Sequence, residues 1–139
     1  SALIAEKEGT KVTMELVDRA LDDIEKDKYV AMIKSSPKQL QAVLYAIIAL
    51  TARMAKPIYT GDAYEGYRLF CSKINLRALT QRAFSDLVSE LDMYGFIQAR
   101  VFSHGRYGRT KEITINLPKE ISDRLRQVIL MEFDLNPIH

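Results

Sequence analysis

Between Gln98 and Lys111 the chain carries four basic residues, Arg100, Arg106, Arg109 and Lys111, and no acid. The densest part, Gly105-Arg106-Tyr107-Gly108-Arg109-Thr110-Lys111, holds two glycines and follows His104. Two kinds of chemistry use such a pattern. A nucleotide-binding loop needs G-x4-G-K-S/T, so that backbone amides wrap a phosphate and the lysine reaches it. Gly105 and Gly108 are too close together for this, and Lys111 follows Thr110 rather than preceding it. The other chemistry is recognition of a nucleic-acid backbone. Unopposed bases attract a polyanion, and glycines let the chain approach phosphates closely. Arg106 or Arg109 could also enter a minor groove, where a narrow A·T tract deepens the negative potential. For Arg100 alone, DNA contact and a solvated surface are evenly matched. For the segment as a set, DNA outweighs the solvated surface, because four bases without an acid are not a balanced exterior.

A second group of polar residues lies just upstream, in LTQRAFSDLVSELDMYG. Thr80 is placed to cap a helix, and Phe84, Leu87, Val88 and Leu91 recur at the spacing of one buried face. That stripe leaves Arg82, Ser85, Asp86 and Ser89 outside. The major groove admits an α-helix, and side chains such as Arg, Gln and Ser near a helix start can meet base edges. Gln81, Arg82, Ser85 and Ser89 fit that role, with Asp86, four residues after Arg82, available to hold its guanidinium. Gly95 stands where a left-handed C-terminal cap belongs. Beyond it, Ile97, Ala99 and Val101 alternate with Gln98 and Arg100, and Ile113, Ile115 and Leu117 repeat the pattern across the glycine-punctuated turn, which reads as a β-hairpin. A helix with a small polar face followed by a hairpin with a basic tip is the outline of a winged helix.

The remaining elements position this unit. Ala2 to Glu8 reads as a helix end stopped at Gly9. Thr13 then caps a long helix whose Leu16, Val17, Ala20, Leu21 and Ile24 form one apolar side, best read as a solvated amphipathic helix. Ser36-Pro37 looks like an N-cap followed by proline at the first helical position, so a domain boundary is expected between residues 33 and 36. Pro37 to about Met54 is apolar nearly all round its middle and should be a core helix. After a short extended link through Ile58-Tyr59, Thr60 should cap a helix whose Tyr64, Tyr67 and Phe70 are packing residues and whose Cys71 is buried. A last amphipathic helix after Pro118 should bury Ile121, Leu125, Val128 and Ile129, leaving the tail Asn136 to His139 frayed.

Charge follows the same division. Residues 1–35 hold eight acids and six bases, and residues 36–139 ten acids and fourteen bases, so the surplus of positive charge lies in the second part. The longest apolar run, Ala42 to Leu50, is about half of what a membrane span needs, and no signal peptide is visible. A single cysteine gives neither a disulfide nor a cysteine metal site, which fits a reducing, cytoplasmic setting. His104 and His139 with one distant cysteine do not make a metal site, and no catalytic motif surrounds any serine or histidine, so catalysis by this chain is not expected. The chain starts without a methionine inside a helix-like stretch and reads as a C-terminal piece of something longer.

The stretch from Leu79 to Ile113, with T-Q-R…S-D-L…E-L-D-M…G and G-R-Y-G-R-T-K-E-I, strongly resembles the C-terminal winged-helix domain of archaeal replication initiators of the origin-recognition and cell-division-control family. KVTMELVDRALDDIEKDKYVAMIKS resembles the end of the lid subdomain of the same proteins' AAA+ ATPase module. The resemblance implies a mainly α chain with a β-hairpin: lid helices over 1–35 and a winged helix-turn-helix domain over 36–139. It implies binding of double-stranded origin DNA close to the nucleoid, with helicase loading by the parent protein. Thr80, Gln81, Arg82 and Ser85 would lie in the recognition helix, and Arg106, Tyr107, Gly108 and Arg109 in the wing. ATP and magnesium would belong to the missing ATPase domain only. The chain departs from the family pattern at Ala83, where a second arginine often follows T-Q-R, which implies one helix–DNA contact fewer. The alternative is a winged helix used mainly to bind protein, such as a replicative helicase or another initiator copy. A transcriptional regulator would share the fold but would not account for the lid-like start.

Overall fold

A computed structural model describes residues 2–54, 57–103 and 109–133. Its elements run α1 (Ala2–Lys34), α2 (Lys38–Arg53), β1 (Ile58–Tyr59), α3 (Thr60–Lys73), α4 (Gln81–Met93), β2 (Ile97–Ser103), β3 (Arg109–Ile115) and α5 (Lys119–Glu132). This is the mainly α architecture with a hairpin expected from the sequence, enlarged by a third strand. The sheet order is β1-β3-β2, antiparallel throughout.

The core lies where α2 meets the other helices. Leu40, Val43, Leu44 and Ile47 of α2 are buried, facing Phe84, Val88 and Leu91 of α4 and Leu125, Val128 and Ile129 of α5. Leu87, expected with them, is only partly buried at the edge of this core. Tyr64, Tyr67 and Phe70 pack as expected: the rings of Tyr64 and Tyr67 each lie 5.2 Å from that of Phe84, and Tyr45 stacks on Phe70 at 4.2 Å. Cys71 is buried, and burial pushes its thiol pKa up, which makes it a packing residue rather than a nucleophile.

Helix boundaries supply three corrections. The expected stop at Gly9 and restart at Thr13 do not occur, because α1 runs unbroken from Ala2 to Lys34. A single interior glycine costs a helix only about 1 kcal/mol, and no proline interrupts the stretch. Ser36 does not cap α2. Its hydroxyl donates back to the Met32 carbonyl at 2.7 Å, so it closes α1, and Pro37 occupies the cap position. Thr60 does not cap α3 either; Tyr59 stands at that position, its N–H donating to Asp62. In the sheet, the inner face is buried only near its base. Ile97 and Ile113 are covered, Ala99 is partly covered, and Val101 is 59% exposed, because the hairpin runs out past the helices that cover its base.

Among the described residues of α1, those at its end join this packing. Ile33 is fully buried and the Tyr29 ring lies tilted against that of Phe96 at 5.3 Å, whereas Leu16, Val17, Leu21 and Ile24 are exposed, as a solvated helix would leave them. Gln41, itself buried, donates to the carbonyls of Ile33 and Ser36 and fixes the corner between α1 and α2.

Candidate nucleic-acid interface

Helix α4 is held at both ends by sequence-coded devices. Thr80 is its N-cap, with the side-chain oxygen accepting from the Ala83 N–H at 3.2 Å. At the other end Gly95 adopts φ +87°, and the Phe96 N–H reaches the Leu91 carbonyl while the Gly95 N–H reaches that of Asp92. This is a Schellman closure. With Phe84, Val88 and Leu91 turned inward, Thr80, Gln81, Arg82, Asp86 and Ser89 are exposed and Ser85 is half-buried. Arg82 makes no ion pair with Asp86 among the described residues, contrary to expectation. Both side chains are in water, where such a pair gains little, and the guanidinium is left available.

The approach to α4 is fixed by a polar cluster that periodicity did not reveal. The Tyr67 hydroxyl donates to Gln39 Oε1 and accepts from the Leu79 N–H at 2.8 Å. Gln39 Nε2 donates to the Arg77 carbonyl at 2.8 Å, and the Tyr64 hydroxyl donates to the Leu79 carbonyl at 2.8 Å. Burial pushes the Tyr67 phenol up to about 12, so it stays protonated and keeps its donor. Three side chains from α2 and α3 therefore set where α4 begins. In the sequence, only the aromatic spacing of Tyr64 and Tyr67 was visible, and it signalled packing alone.

Strands β2 and β3 pair from Ile97 opposite Ile115 to Ser103 opposite Arg109. Arg100 is exposed and stands directly across from Glu112, a local acid that the count from 98 to 111 stops just short of. Lys111 was expected in the wing and Ser89 in the helix, as separate contacts. The structure joins them: Lys111 Nζ donates to Ser89 Oγ at 2.9 Å, and Ser89 Oγ donates to the Ser85 carbonyl at 3.2 Å. The backbone of Lys111 is itself tied down. Its N–H donates to Thr60 Oγ1 at 3.1 Å, and that hydroxyl donates back to the Lys111 carbonyl at 3.2 Å. Thr60 is thus a positioning residue for the hairpin strand that carries Lys111. His104, Gly105, Arg106, Tyr107 and Gly108 lie outside the described residues, as does the side chain of Arg109.

The assembled surface is the exposed face of α4 beside the outer part of a basic hairpin, with the Lys111 ammonium joining them at Ser89. Among the described residues no group of histidines, cysteines and acids could hold a metal ion, and no helix is long and apolar enough to cross a membrane.

Comparison with known proteins places these features. Residues 31–124 match the family model described as CDC6, C terminal winged helix domain. The chain is 46% identical over 136 residues to an ORC1-type DNA replication protein of Pyrococcus furiosus, covering 97% of this chain and 32% of that one. It is 44% identical to ORC1-type DNA replication protein 1 of Methanosarcina acetivorans, covering 99% of this chain and 33% of the relative. It therefore spans about a third of the length of these curated relatives. The structure of the Aeropyrum pernix ORC1 protein in complex with DNA superposes on 81% of this chain, and this chain on 29% of it, with a TM-score of 0.73 and 33% identity. Cdc6p of Pyrobaculum aerophilum, at 21% identity and a TM-score of 0.60 over 78% of this chain and 26% of that one, shares the fold.

Proposed function

The chain belongs to the CDC6 C-terminal winged helix domain family, and from that premise we propose that it binds double-stranded DNA at replication origins as part of an archaeal initiator. The observation that carries this reading is the joint between the exposed face of α4 and the outer part of the hairpin, through Ser89 and Lys111. One approaching duplex would meet a helix face, a cation and a basic strand turn together. Gln81, Arg82 and Ser85 would face base edges in the major groove. Thr80 and Ser89 have hydroxyls engaged within the chain, and they frame that face. The wing, from Arg100 through His104, Gly105, Arg106, Tyr107, Gly108 and Arg109 to Lys111, would lie on phosphates or in the adjacent minor groove. The similarity to an ORC1 protein whose structure is in complex with DNA supports the same choice of ligand.

No Walker-type motif is present in the sequence. On this reading, ATP with magnesium, helicase loading and contacts with other initiator copies belong to the parent protein, which would act in the cytoplasm at the nucleoid. The test is salt-dependent binding of this chain to an origin duplex and to a scrambled duplex. If Arg106 and Arg109 each neutralise a phosphate, their double alanine variant flattens the slope of log K against log salt by roughly 2. A slope equal to that of the wild type refutes the wing's contact with DNA.

A further inference from the structure

Helices α2 and α3 each present a second stripe, away from the residues that meet α4. On α2 it consists of Ala46, Ala49, Leu50 and Arg53, and on α3 of Gly66, Leu69, Phe70 and Lys73. Both stripes follow the i, i+3, i+4, i+7 spacing of one helix face. The two run side by side, and α5 closes the third side with Arg126 and Leu130, so that the three helices enclose a groove. Its floor is open to an incoming side chain because Ala46, Ala49 and Gly66 have little or no side chain. Its edges are apolar, with Leu69 66% exposed. Among the described residues its charge is of one sign: Arg53, Lys73 and Arg126 line it, and no acid does. Among the described residues none of these three cations makes an ion pair, and Arg126 lies 5.8 Å from the centre of the Tyr45 ring.

The combination selects its occupant. A DNA duplex offers phosphates and sugars on its outside, which would satisfy the cations but leave Leu69 and Leu130 in water. An amphipathic helix uses both features, placing its apolar anchors in the groove and its acids on the rim. We propose that this groove binds an acidic amphipathic helix of another protein, with apolar side chains over Ala46, Ala49 and Gly66 and carboxylates against Arg53, Lys73 and Arg126. The surplus of positive charge in residues 36–139 is thereby divided between two faces, one for DNA and one for protein.

Two substitutions test this without disturbing the α4 surface. A Cβ at Gly66 would meet only Leu50 Cδ2 at 4.0 Å, so Gly66→Leu fills the groove floor without a backbone clash. Lys73→Glu reverses an exposed rim charge. The probe is a fluorescent 16-residue synthetic helix with leucines on one face and glutamates on the other, beside a copy with lysines for glutamates, both read by anisotropy at one salt concentration. The glutamate helix should bind wild type at least ten-fold tighter than the lysine helix. Each substitution should weaken it about ten-fold, while binding to an origin duplex stays unchanged. Equal binding of the two helices, absence of binding, or insensitivity to both substitutions overturns the proposal. So does a loss of duplex affinity, which would make the groove a second DNA surface. Light scattering adds one further outcome: a dimer of this chain that Gly66→Leu dissolves would assign the groove to a second copy and overturn the proposal.

Discussion

Replacing Tyr67 by phenylalanine removes one oxygen and leaves the ring. The ring keeps its place against Phe84 and Tyr64, so no cavity opens. What is lost is the donor to Gln39 Oε1 and the acceptor of the Leu79 N–H. The Gln39 oxygen can turn toward water, since that residue is only partly buried. Among the described residues the Leu79 amide has no second partner, and leaving a covered donor unmade costs about 1–3 kcal/mol. Tyr67→Phe should therefore destabilise the chain by about 2 kcal/mol, seen as a shift of the urea midpoint with an unchanged slope. Because Leu79 leads directly into the Thr80 cap, binding to an origin duplex should fall as well, while its salt slope, set by phosphate contacts, holds. The phenol adds a pH signature. It ionises near 10 when unfolded and near 12 when folded, so its contribution is complete below pH 10 and is lost as pH rises from 10 through 12. The phenylalanine variant should lose less stability over that interval. Wild-type stability in Tyr67→Phe, or an unaltered alkaline limb, would refute the idea that this hydroxyl fixes the approach to α4.

Arg82→Ala should cost about 1–3 kcal/mol on a preferred duplex if the guanidinium reads a guanine in bidentate fashion, and much less on a scrambled one. Equal losses on both, measured at one salt concentration, would make Arg82 a phosphate clamp. Leu91→Ala, at a fully buried site, should destabilise by about 2–5 kcal/mol in urea titration, and Leu87→Ala by less, because that side chain is only half covered. Gly95→Ala should cost about 1–2 kcal/mol by the same measurement. The added Cβ meets only Tyr29 Oη at 3.6 Å, so the penalty is the positive φ itself.

The parts of the fold that were legible from sequence are those that burial makes periodic. Phe84, Val88 and Leu91, and Ile121, Leu125, Val128 and Ile129, are buried where their spacing put them, and Gly95 marks a left-handed turn that favours glycine. Local polar signals were less dependable. Ser36 and Thr60 have the side chains of helix caps, yet one bonds back to Met32 and the other to Lys111, 51 residues away. A hydroxyl takes whichever partner the tertiary arrangement brings near, and nothing in its own neighbourhood of sequence reports that partner. Gln39, Tyr67 and Leu79 were invisible as a set for the same reason. The site was legible as two lists, one for the helix and one for the hairpin. That Ser89 and Lys111 form a single point was not, because their contact depends on how the sheet rests on α4.

That contact makes the molecule a gauge. Thr60 grips the backbone of Lys111, β2 packs against α4, and the Lys111 ammonium meets the outer face of α4, so the distance between helix and hairpin is set within the protein before any partner arrives. A duplex bound by both would have to present its two contact points at that one spacing. Inserting a single base pair between them would shift the second point by about 3.4 Å along the axis and turn it about the axis. One of the two contacts would then be given up. Substituting Thr60 would loosen the gauge, broadening the set of spacings tolerated while weakening the hold on the matching one.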